Sequence, residues 1–210
     1  MNNSLIVFLR KPIKGQVKSR LAKEVGENKA LEVYRWLLDV TFHAFKRLKF
    51  PVNLYFDQSE GKGPYWAENY LYHVQKGEDL GSRIVNSFSE QLKISGKTVM
   101  IGSDCPEMNE KIITEAFKTL ENQDLVLGPA KDGGIYLIGM KNLNMDLFNN
   151  IPWSGPFVFN RLKENASKLS MNYSVLQEMQ DIDYFNDFLS WENKFEQFKE
   201  FKKYVIKRAS

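Results

Sequence analysis

The sequence predicts an α/β fold in which a mixed, mostly parallel sheet carries helices on both faces. Short apolar segments rich in β-branched residues recur along the chain, and longer segments with helical spacing lie between them. One later pair of apolar segments is joined by a short glycine-containing turn instead of a helix. Parallel strands need a crossover connection and a helix supplies it, so this order favours parallel pairing. Ligands of such folds bind beyond the carboxyl ends of the strands.

Strands and helices are expected in alternation over the first 121 residues. Helical spacing predicts a first helix over residues 28–49, where apolar side chains share one face and Pro51 stops the pattern before the next strand. In the helix over residues 110–121, Asn109 is the expected N-cap and Glu110 favours the positive helix end. A further helix is predicted over residues 82–93, and strands over residues 5–9, 52–56, 72–75, 98–101, 125–127 and 135–140.

The second half of the chain departs from strict alternation. The stretch "DLVLGPAKDGGIYLIGM" reads as two strands around a turn, which predicts the antiparallel part of the mixed sheet. From about residue 184 to residue 207, phenylalanines recur at helical spacing and predict one or two packed helices. These phenylalanines are Phe188, Phe195, Phe198 and Phe201.

Composition limits the classes of protein to consider. The chain has 210 residues without a Gly/Ser- or Pro-rich linker, so a single domain over residues 1–210 is expected. A formal net charge of +3 gives no indication of nucleic-acid binding. Cys105 is the one cysteine, which excludes an internal disulfide and fits a cytoplasmic location. No secretory signal or transmembrane segment is expected, and the oligomeric state, a homodimer included, is left open.

A basic loop, "RKPIKGQVKSRL", follows the first predicted strand. Lys11, Lys14, Lys18 and Arg20 crowd around Gly15 in this loop. A glycine-bearing loop lets backbone N–H groups approach an anion, and the cations would neutralise phosphate groups. A solvated basic loop explains the same residues, since neither a P-loop nor a complete dinucleotide-binding fingerprint is present.

A carboxylate follows the fourth predicted strand in "GSDCPEMN". Asp104 would project over the carboxyl edge of the sheet, where Mg²⁺ commonly takes one or two protein carboxylates together with phosphate oxygens. A turn that precedes a helix is the simpler interpretation. The best partner carboxylates are Asp181 and Asp183 in "QDIDYFNDF", whereas Asp187 is interpreted as a charge at a helix N-terminus.

The loop "GPAKDGGIYLIG" allows two interpretations. Asp132, Gly133 and Gly134 form the expected tight turn between two strands. Paired glycines also let a ligand approach the backbone closely. Nothing in the residues alone separates a structural turn from a binding loop.

Taken together, these stretches resemble a known family. "FLRKPIKGQVKSRL", "QKGEDLGSR", "GSDCPEMN", "GPAKDGGIYLIGM", "IPWS" and "DIDYFNDF" occur in this order over about residues 5 to 190. They resemble the bacterial glycosyltransferase-like family related to the 2-phospho-lactate guanylyltransferases, in the nucleotide-diphospho-sugar transferase superfamily with the GT-A fold. The resemblance implies a Rossmann-like α/β/α sandwich that binds a nucleotide in its N-terminal half and an acceptor in its C-terminal half.

The resemblance also implies roles for individual residues. Asp104 matches one metal ligand of the superfamily, and Asp183, less surely Asp181, matches the second. The cationic residues of the basic loop, with Gly15, fall where phosphates are bound. Base or ribose contacts are implied for Asp79, Gly81 and Arg83 in the stretch from residue 77 to residue 83, and the acceptor side for Asp132, Gly133, Gly134 and Trp153.

The chain departs from the family pattern at three positions. Ser19 keeps the hydroxyl of the usual threonine, but Ile135 replaces a tyrosine and Gly155 a threonine. Tyr136 carries a ring one residue later, on the opposite face of a strand. The acceptor is therefore the part of the function that transfers least.

The expected function is Mg²⁺- or Mn²⁺-dependent transfer to a small-molecule acceptor. The donor is either a nucleoside triphosphate, in nucleotidyl transfer, or a nucleotide-sugar, in glycosyl transfer. The cationic loop favours triphosphate chemistry, with Lys14, Lys18 and Arg20 stabilising charge on the leaving phosphate. A nucleotide- or phosphate-binding module without turnover is the alternative from another class.

Overall fold

The computed structural model describes residues 2–58, 64–153 and 155–191. Within these ranges seven strands form one sheet in the order β3-β2-β1-β4-β6-β5-β7. Only β6 runs antiparallel to its neighbours β4 and β5, and the other pairs are parallel. This confirms the mixed, mostly parallel sheet. The strands are β1 Asn3–Leu9, β2 Val52–Phe56, β3 Leu71–Val74, β4 Lys97–Ile101, β5 Leu125–Pro129, β6 Ile135–Met140 and β7 Tyr173–Val175.

The three helices predicted over residues 28–49, 82–93 and 110–121 are present, although the first of them ends at Phe45, four residues before its predicted end. The side chain of Asn109 accepts hydrogen bonds from the backbone N–H groups of Lys111, at 3.0 Å, and Ile112, at 3.3 Å, as expected of an N-cap. The helices of the described residues are α1 Ser19–Val25, α2 Glu27–Phe45, α3 Leu80–Leu92, α4 Glu110–Thr119, α5 Val158–Lys168 and α6 Phe185–Ser190, with 3₁₀ turns at Tyr65–Asn69 and Met145–Phe148.

Three elements lack a sequence signal strong enough to predict them. The helix α1 has seven residues, about two turns, which is too short to show a clear helical periodicity. It directly follows the basic loop. The segment of α5, "VFNRLKENASK", is mostly polar and buries only Val158, Leu162 and Ala166. The strand β7 has three residues and lies at the sheet edge, where its pairing with β5 defines it. In all three, tertiary contacts decide the conformation.

The sheet is buried on both faces, as the predicted arrangement of helices requires. Leu5 and Val7 of β1 lie in a core cluster together with Leu38 of α2 and Phe117 of α4. Ile6, between them in sequence, lies in the opposite cluster with residues of α3 and α5. Successive strand residues point to opposite faces, so β1 contributes to both cores.

The sheet has a topological switch point between β1 and β4. These strands pair in parallel, with Leu5 opposite Val99, so their carboxyl ends lie at the same edge. The chain runs from β1 to β2 on one side, whereas β4 lies on the other side of β1. The loops after the two strands therefore diverge and leave a crevice, which is the usual ligand site of open α/β sheets.

The turn after β5 has the tight geometry predicted for it. The N–H of Ala130 donates to Gly134 O at 3.0 Å, and Asp132 Oδ1 accepts from Gly134 N at 2.8 Å. At the C-terminal end, Phe188 of α6 is fully buried. The predicted helical positions Phe195, Phe198 and Phe201 lie outside the described residues.

Candidate functional site

An ion-pair cluster lies at the switch point. Lys18, at the end of the loop after β1, places its Nζ atom 2.5 Å from Asp104 Oδ1 and 3.3 Å from Asp183 Oδ1. Arg20 contacts the other oxygen of Asp183, with 2.9 Å between Nη1 and Oδ2. The structure thus brings together the two carboxylates and two of the cations that the sequence pattern singled out.

The Lys18 side chain is buried while the carboxylates around it are partly open to solvent. It is 4% exposed, compared with 47% for Asp104 and 36% for Asp183. Burial by itself lowers the pKa of Lys18, but the charges of Asp104 and Asp183 outweigh it and hold the pKa above its ordinary value. Lys18 is therefore a fixed positive charge at neutral pH.

Asp181 adds a third carboxylate in an unusual environment. Its Oδ1 atom is buried and accepts no hydrogen bond within the described part of the chain. Burial, followed by the nearby charge of Asp104, raises the pKa of Asp181 to about 8. A buried carboxylate oxygen without a donor is unfavourable, and a bound cation would relieve this cost.

The loops that carry these groups are tied together by Tyr34 of α2. Its hydroxyl accepts from Arg10 N at 2.8 Å, donates to Arg10 O at 3.0 Å and lies 3.4 Å from Ser103 Oγ. The backbone of Ile182 also donates to Asp104 O at 3.1 Å. Tyr34 lies within the first predicted helix but was not predicted as a site residue. A hydroxyl group on the apolar face of that helix is the signal that could have identified it.

The donor set fits a hard divalent cation. Across residues 2–58, 64–153 and 155–191, no three His, Cys, Asp or Glu side chains converge closely enough to form a ready-made metal site. Asp104 and Asp183 nevertheless contact one cationic nitrogen, and the unpartnered Oδ1 of Asp181 is the oxygen type that Mg²⁺ and Mn²⁺ prefer. Asp104, Asp183 and Asp181 are therefore the residues that could hold such an ion.

The remaining basic-loop residues lie away from the carboxylates. Lys11 is buried beside aromatic rings, with Nζ 5.0 Å from the centroid of the Tyr72 ring. Lys14 is exposed and makes no ion pair within the described residues. Gly15 has φ +78° and faces the Glu27 carboxylate. The structure therefore does not bring all four cations to one point, and Lys11 contacts the side of the crevice formed by β2 and β3.

The predicted base-binding stretch forms the N-terminus of α3. Asp79 is the N-cap, and its carboxylate accepts from Ser82 N at 2.7 Å, which holds the pKa of Asp79 below its ordinary value. Arg83 Nε donates to Gly77 O at 3.0 Å. Gly81 packs under the Trp153 indole, where a Cβ atom would lie 2.1 Å from Nε1. Trp153, predicted on the acceptor side, therefore contacts the predicted nucleotide side.

The predicted acceptor turn contacts the part of the chain that follows Trp153. The carbonyl of Gly133 accepts from Phe159 N at 3.0 Å, and a Cβ at Gly133 would lie 1.9 Å from Pro156 O. Ile135 packs against the same core cluster as Trp153, whereas Tyr136 lies in the cluster on the other face. The expectation that Tyr136 points away from Ile135 is confirmed.

Replacing Asp181 by Asn tests the buried carboxylate. Because its pKa is raised, the wild type loses stability as pH rises from about 4 to about 8, where Asp181 ionises in the unfolded chain before it does in the folded one. Asp181→Asn removes this loss. In the absence of divalent ions, the difference in unfolding free energy between Asp181→Asn and the wild type should therefore shift in favour of the variant by more than about 1 kcal/mol between about pH 5 and about pH 8. Urea denaturation at both pH values measures it, and an advantage independent of pH would contradict the burial of this group.

A family model matches more than half of the chain. The model described as "Uncharacterized protein conserved in bacteria (DUF2064)" matches residues 41–155, which include Asp104, the α3 N-terminus and the turn after β5. No curated protein matches the sequence. None of the helices in the described ranges has the length and apolar character needed to cross a bilayer.

Solved structures share the fold. A protein of Desulfovibrio desulfuricans G20, provisionally assigned as a nucleotide-diphospho-sugar transferase, superposes with a TM-score of 0.89 at 23% identity and covers 100% of this chain and 99% of its own. CMP:2-keto-3-deoxy-manno-octonic acid synthetase in complex with CTP gives 0.54 at 10% identity, covering 91% and 97%. A manganese complex of Rv0371c from Mycobacterium tuberculosis H37Rv gives 0.54 at 12%, covering 90% and 97%. The fold is that of the nucleotide-diphospho-sugar transferases, which confirms the predicted fold class.

Proposed function

The chain belongs to the DUF2064 family of uncharacterized bacterial proteins, and we propose that it is a divalent-metal-dependent transferase that moves a nucleotidyl group from a nucleoside triphosphate to a small acceptor. The observation that carries the proposal is the Lys18 ammonium held between Asp104 and Asp183 at the switch point of the sheet. Cation and carboxylates occupy the place where open α/β sheets bind ligands. The likeness in fold to a synthetase that binds CTP supports this direction.

The charges around the crevice favour a triphosphate donor. Lys18 and Arg20 meet at Asp183, and the exposed Lys14 lies in the same loop with no partner among the described residues. A triphosphate carries more negative charge than the diphosphate of a nucleotide-sugar, so it uses these cations more fully. The resemblance of the sequence motifs to the 2-phospho-lactate guanylyltransferases points the same way.

In the proposed reaction an ionised phosphate oxygen of the acceptor attacks the α-phosphorus. The new P–O bond forms as the bond from the α-phosphorus to the oxygen that bridges to the β-phosphate breaks, and pyrophosphate leaves. Lys18 and Arg20 are placed to neutralise the negative charge that accumulates on the leaving group. A Mg²⁺ or Mn²⁺ ion held by Asp104 and Asp183, with Asp181 beside them, would supply further neutralisation of phosphate oxygens. Positioning and electrostatics carry such transfers, so no nucleophilic side chain is needed.

The nucleoside and the acceptor are assigned to the two sides of the crevice. Backbone groups around Gly81 and the side chain of Arg83 would contact the base or ribose. Asp132, Gly134 and Trp153 would border the acceptor. The contact between Trp153 and Gly81 means that the two subsites share a wall. A cytoplasmic setting, where nucleoside triphosphates are abundant, is part of the same proposal.

A ligand screen by thermal shift tests the proposed function. The protein is heated with GTP, CTP, ATP and UTP, and with UDP- and GDP-sugars, each with and without Mg²⁺ or Mn²⁺. At least one triphosphate should raise the melting temperature by several degrees only when the metal is present, because the two ligands bind one site.

Other outcomes of the screen point to different functions. Stabilisation by nucleotide-sugars alone would replace nucleotidyl transfer by glycosyl transfer. Stabilisation that is the same with and without metal would favour a binding module without turnover. A protein that no nucleotide stabilises under either condition would contradict the proposed function.

A further inference from the structure

Lys18 occupies the space that a divalent cation would need. Its ammonium contacts Asp104 Oδ1 at 2.5 Å and Asp183 Oδ1 at 3.3 Å and is almost completely buried. A divalent ion bound by the same two carboxylates would lie within a few ångströms of this nitrogen, where the repulsion between like charges is strong. The ammonium and the ion therefore compete for one position.

The backbone of Lys18 shows that the position of its side chain is specific. Lys18 has φ 48° and ψ 47°, in the left-handed region that residues with a side chain rarely adopt. Its ammonium has no acceptor and cannot cap the N–H groups of α1, and the side chain reaches the carboxylates instead. The two ion pairs offset the unfavourable backbone conformation.

The other groups of the cluster are arranged to remain when Lys18 leaves. Arg20 holds Asp183 through Oδ2, the oxygen that Lys18 does not contact. Asp181 Oδ1 is buried without a donor, so the cluster has more acceptor capacity than Lys18 satisfies. A divalent ion could use this capacity, whereas one ammonium group leaves it unfilled.

We propose that the Lys18 ammonium holds the place of the divalent cation in the free protein, and that a phosphate-bearing ligand draws it away so that ion and ligand enter together. Phosphate oxygens are strong acceptors for the three ammonium hydrogens. Because a ligand that removes a competitor raises the affinity of the ion, the ion raises the affinity of the ligand by the same factor. This inference rests on the proposed function for the identity of the phosphate ligand, but the competition itself needs no nucleotide.

Isothermal titration with Mn²⁺ alone tests the competition. Lys18→Met should bind Mn²⁺ at least about 10-fold more tightly than the wild type, because the competing charge is gone. Lys23→Met is the matched control: it removes the same charge from an exposed position of α1, the helix that Lys18 precedes, and should leave Mn²⁺ affinity unchanged. Lys18→Gly, which adopts the left-handed backbone without strain, provides a second variant if the methionine variant does not fold.

Two further measurements decide the site and the coupling. Adding Asp104→Asn to Lys18→Met should abolish the gain in Mn²⁺ affinity. Inorganic pyrophosphate is a probe without base or sugar. It should raise Mn²⁺ affinity more in the wild type than in Lys18→Met, because the variant has no competing ammonium to displace. The binding of Mn²⁺ to free pyrophosphate is the same in both titrations and does not affect this comparison. Equal Mn²⁺ affinity in the wild type and in both Lys18 variants, a gain that survives Asp104→Asn, or equal coupling in the two proteins would each overturn the proposal.

Failure of the proposed function would be seen separately. If the Lys18 variants gain Mn²⁺ affinity and pyrophosphate coupling is lost with Lys18, the inference holds even where no nucleotide stabilises the protein. If nucleotides stabilise the wild type only with metal, but Mn²⁺ affinity is the same with and without Lys18, the transferase proposal stands and the inference about Lys18 is wrong.

Discussion

Asp104→Asn should abolish the metal-dependent stabilisation by nucleotide and lower transfer activity by at least about 100-fold. The change removes one of the two carboxylates that contact Lys18 Nζ, while an amide oxygen can still accept its hydrogen bond at a similar distance. Two carboxylates attract a divalent ion far more strongly than one carboxylate and an amide. Thermal shift with and without Mg²⁺ and a product assay measure the two effects.

Asp146→Asn is the matched control for this prediction. Asp146 is an exposed aspartate in the 3₁₀ turn Met145–Phe148, and it makes no contact with the cluster. Its replacement should leave metal and nucleotide responses unchanged. If Asp104→Asn keeps the full response of the wild type, the carboxylates at the switch point are not the metal ligands.

Gly133→Ala should destabilise the fold by about 3 kcal/mol. Gly133 has φ +85°, a conformation that an alanine adopts with strain, and the new Cβ would lie 1.9 Å from the Pro156 carbonyl oxygen. Relief of this overlap requires the segment with Pro156 and Trp153 to move away from the turn, which also breaks the hydrogen bond from Phe159 N to Gly133 O. Urea denaturation gives the change in unfolding free energy.

Gly134→Ala separates this contact from a general effect of removing glycine. At Gly134 a Cβ would lie 3.0 Å from Asp132 Oδ1, the end of a side chain that can shift, and φ is not positive. Its loss of stability should stay below about 1 kcal/mol. Equal losses for the two variants would show that Gly133 does not pack against Pro156.

The fold could be predicted because its signals are local. The apolar face of α2 and the cap at Asn109 each lie within one segment, and periodicity or residue type identifies them. The antiparallel pair β5 and β6 follows from its short turn. The strand β7 has no such local pattern, because three residues at an edge take their conformation from the neighbouring strand.

The candidate site could be predicted only in part from the sequence. The resemblance of the ordered motifs to a known family predicted that Asp104 and Asp183 lie together. The burial of Lys18 between them depends on tertiary packing, which no local sequence pattern contains. The same holds for Tyr34, whose hydroxyl bridges two loops, and for the raised pKa of Asp181. In the basic loop, the sequence gives the positions of the cations but not the directions of their side chains, since Lys11 turns toward aromatic rings.

A crystal structure with Mn²⁺ and the triphosphate that gives the largest metal-dependent thermal shift tests the central claim most directly. Anomalous scattering should locate the ion between Asp104 and Asp183, in contact with a phosphate oxygen, with Lys18 moved onto the phosphates. An ion and nucleotide bound elsewhere, with Lys18 still paired to both carboxylates, would contradict the proposed chemistry.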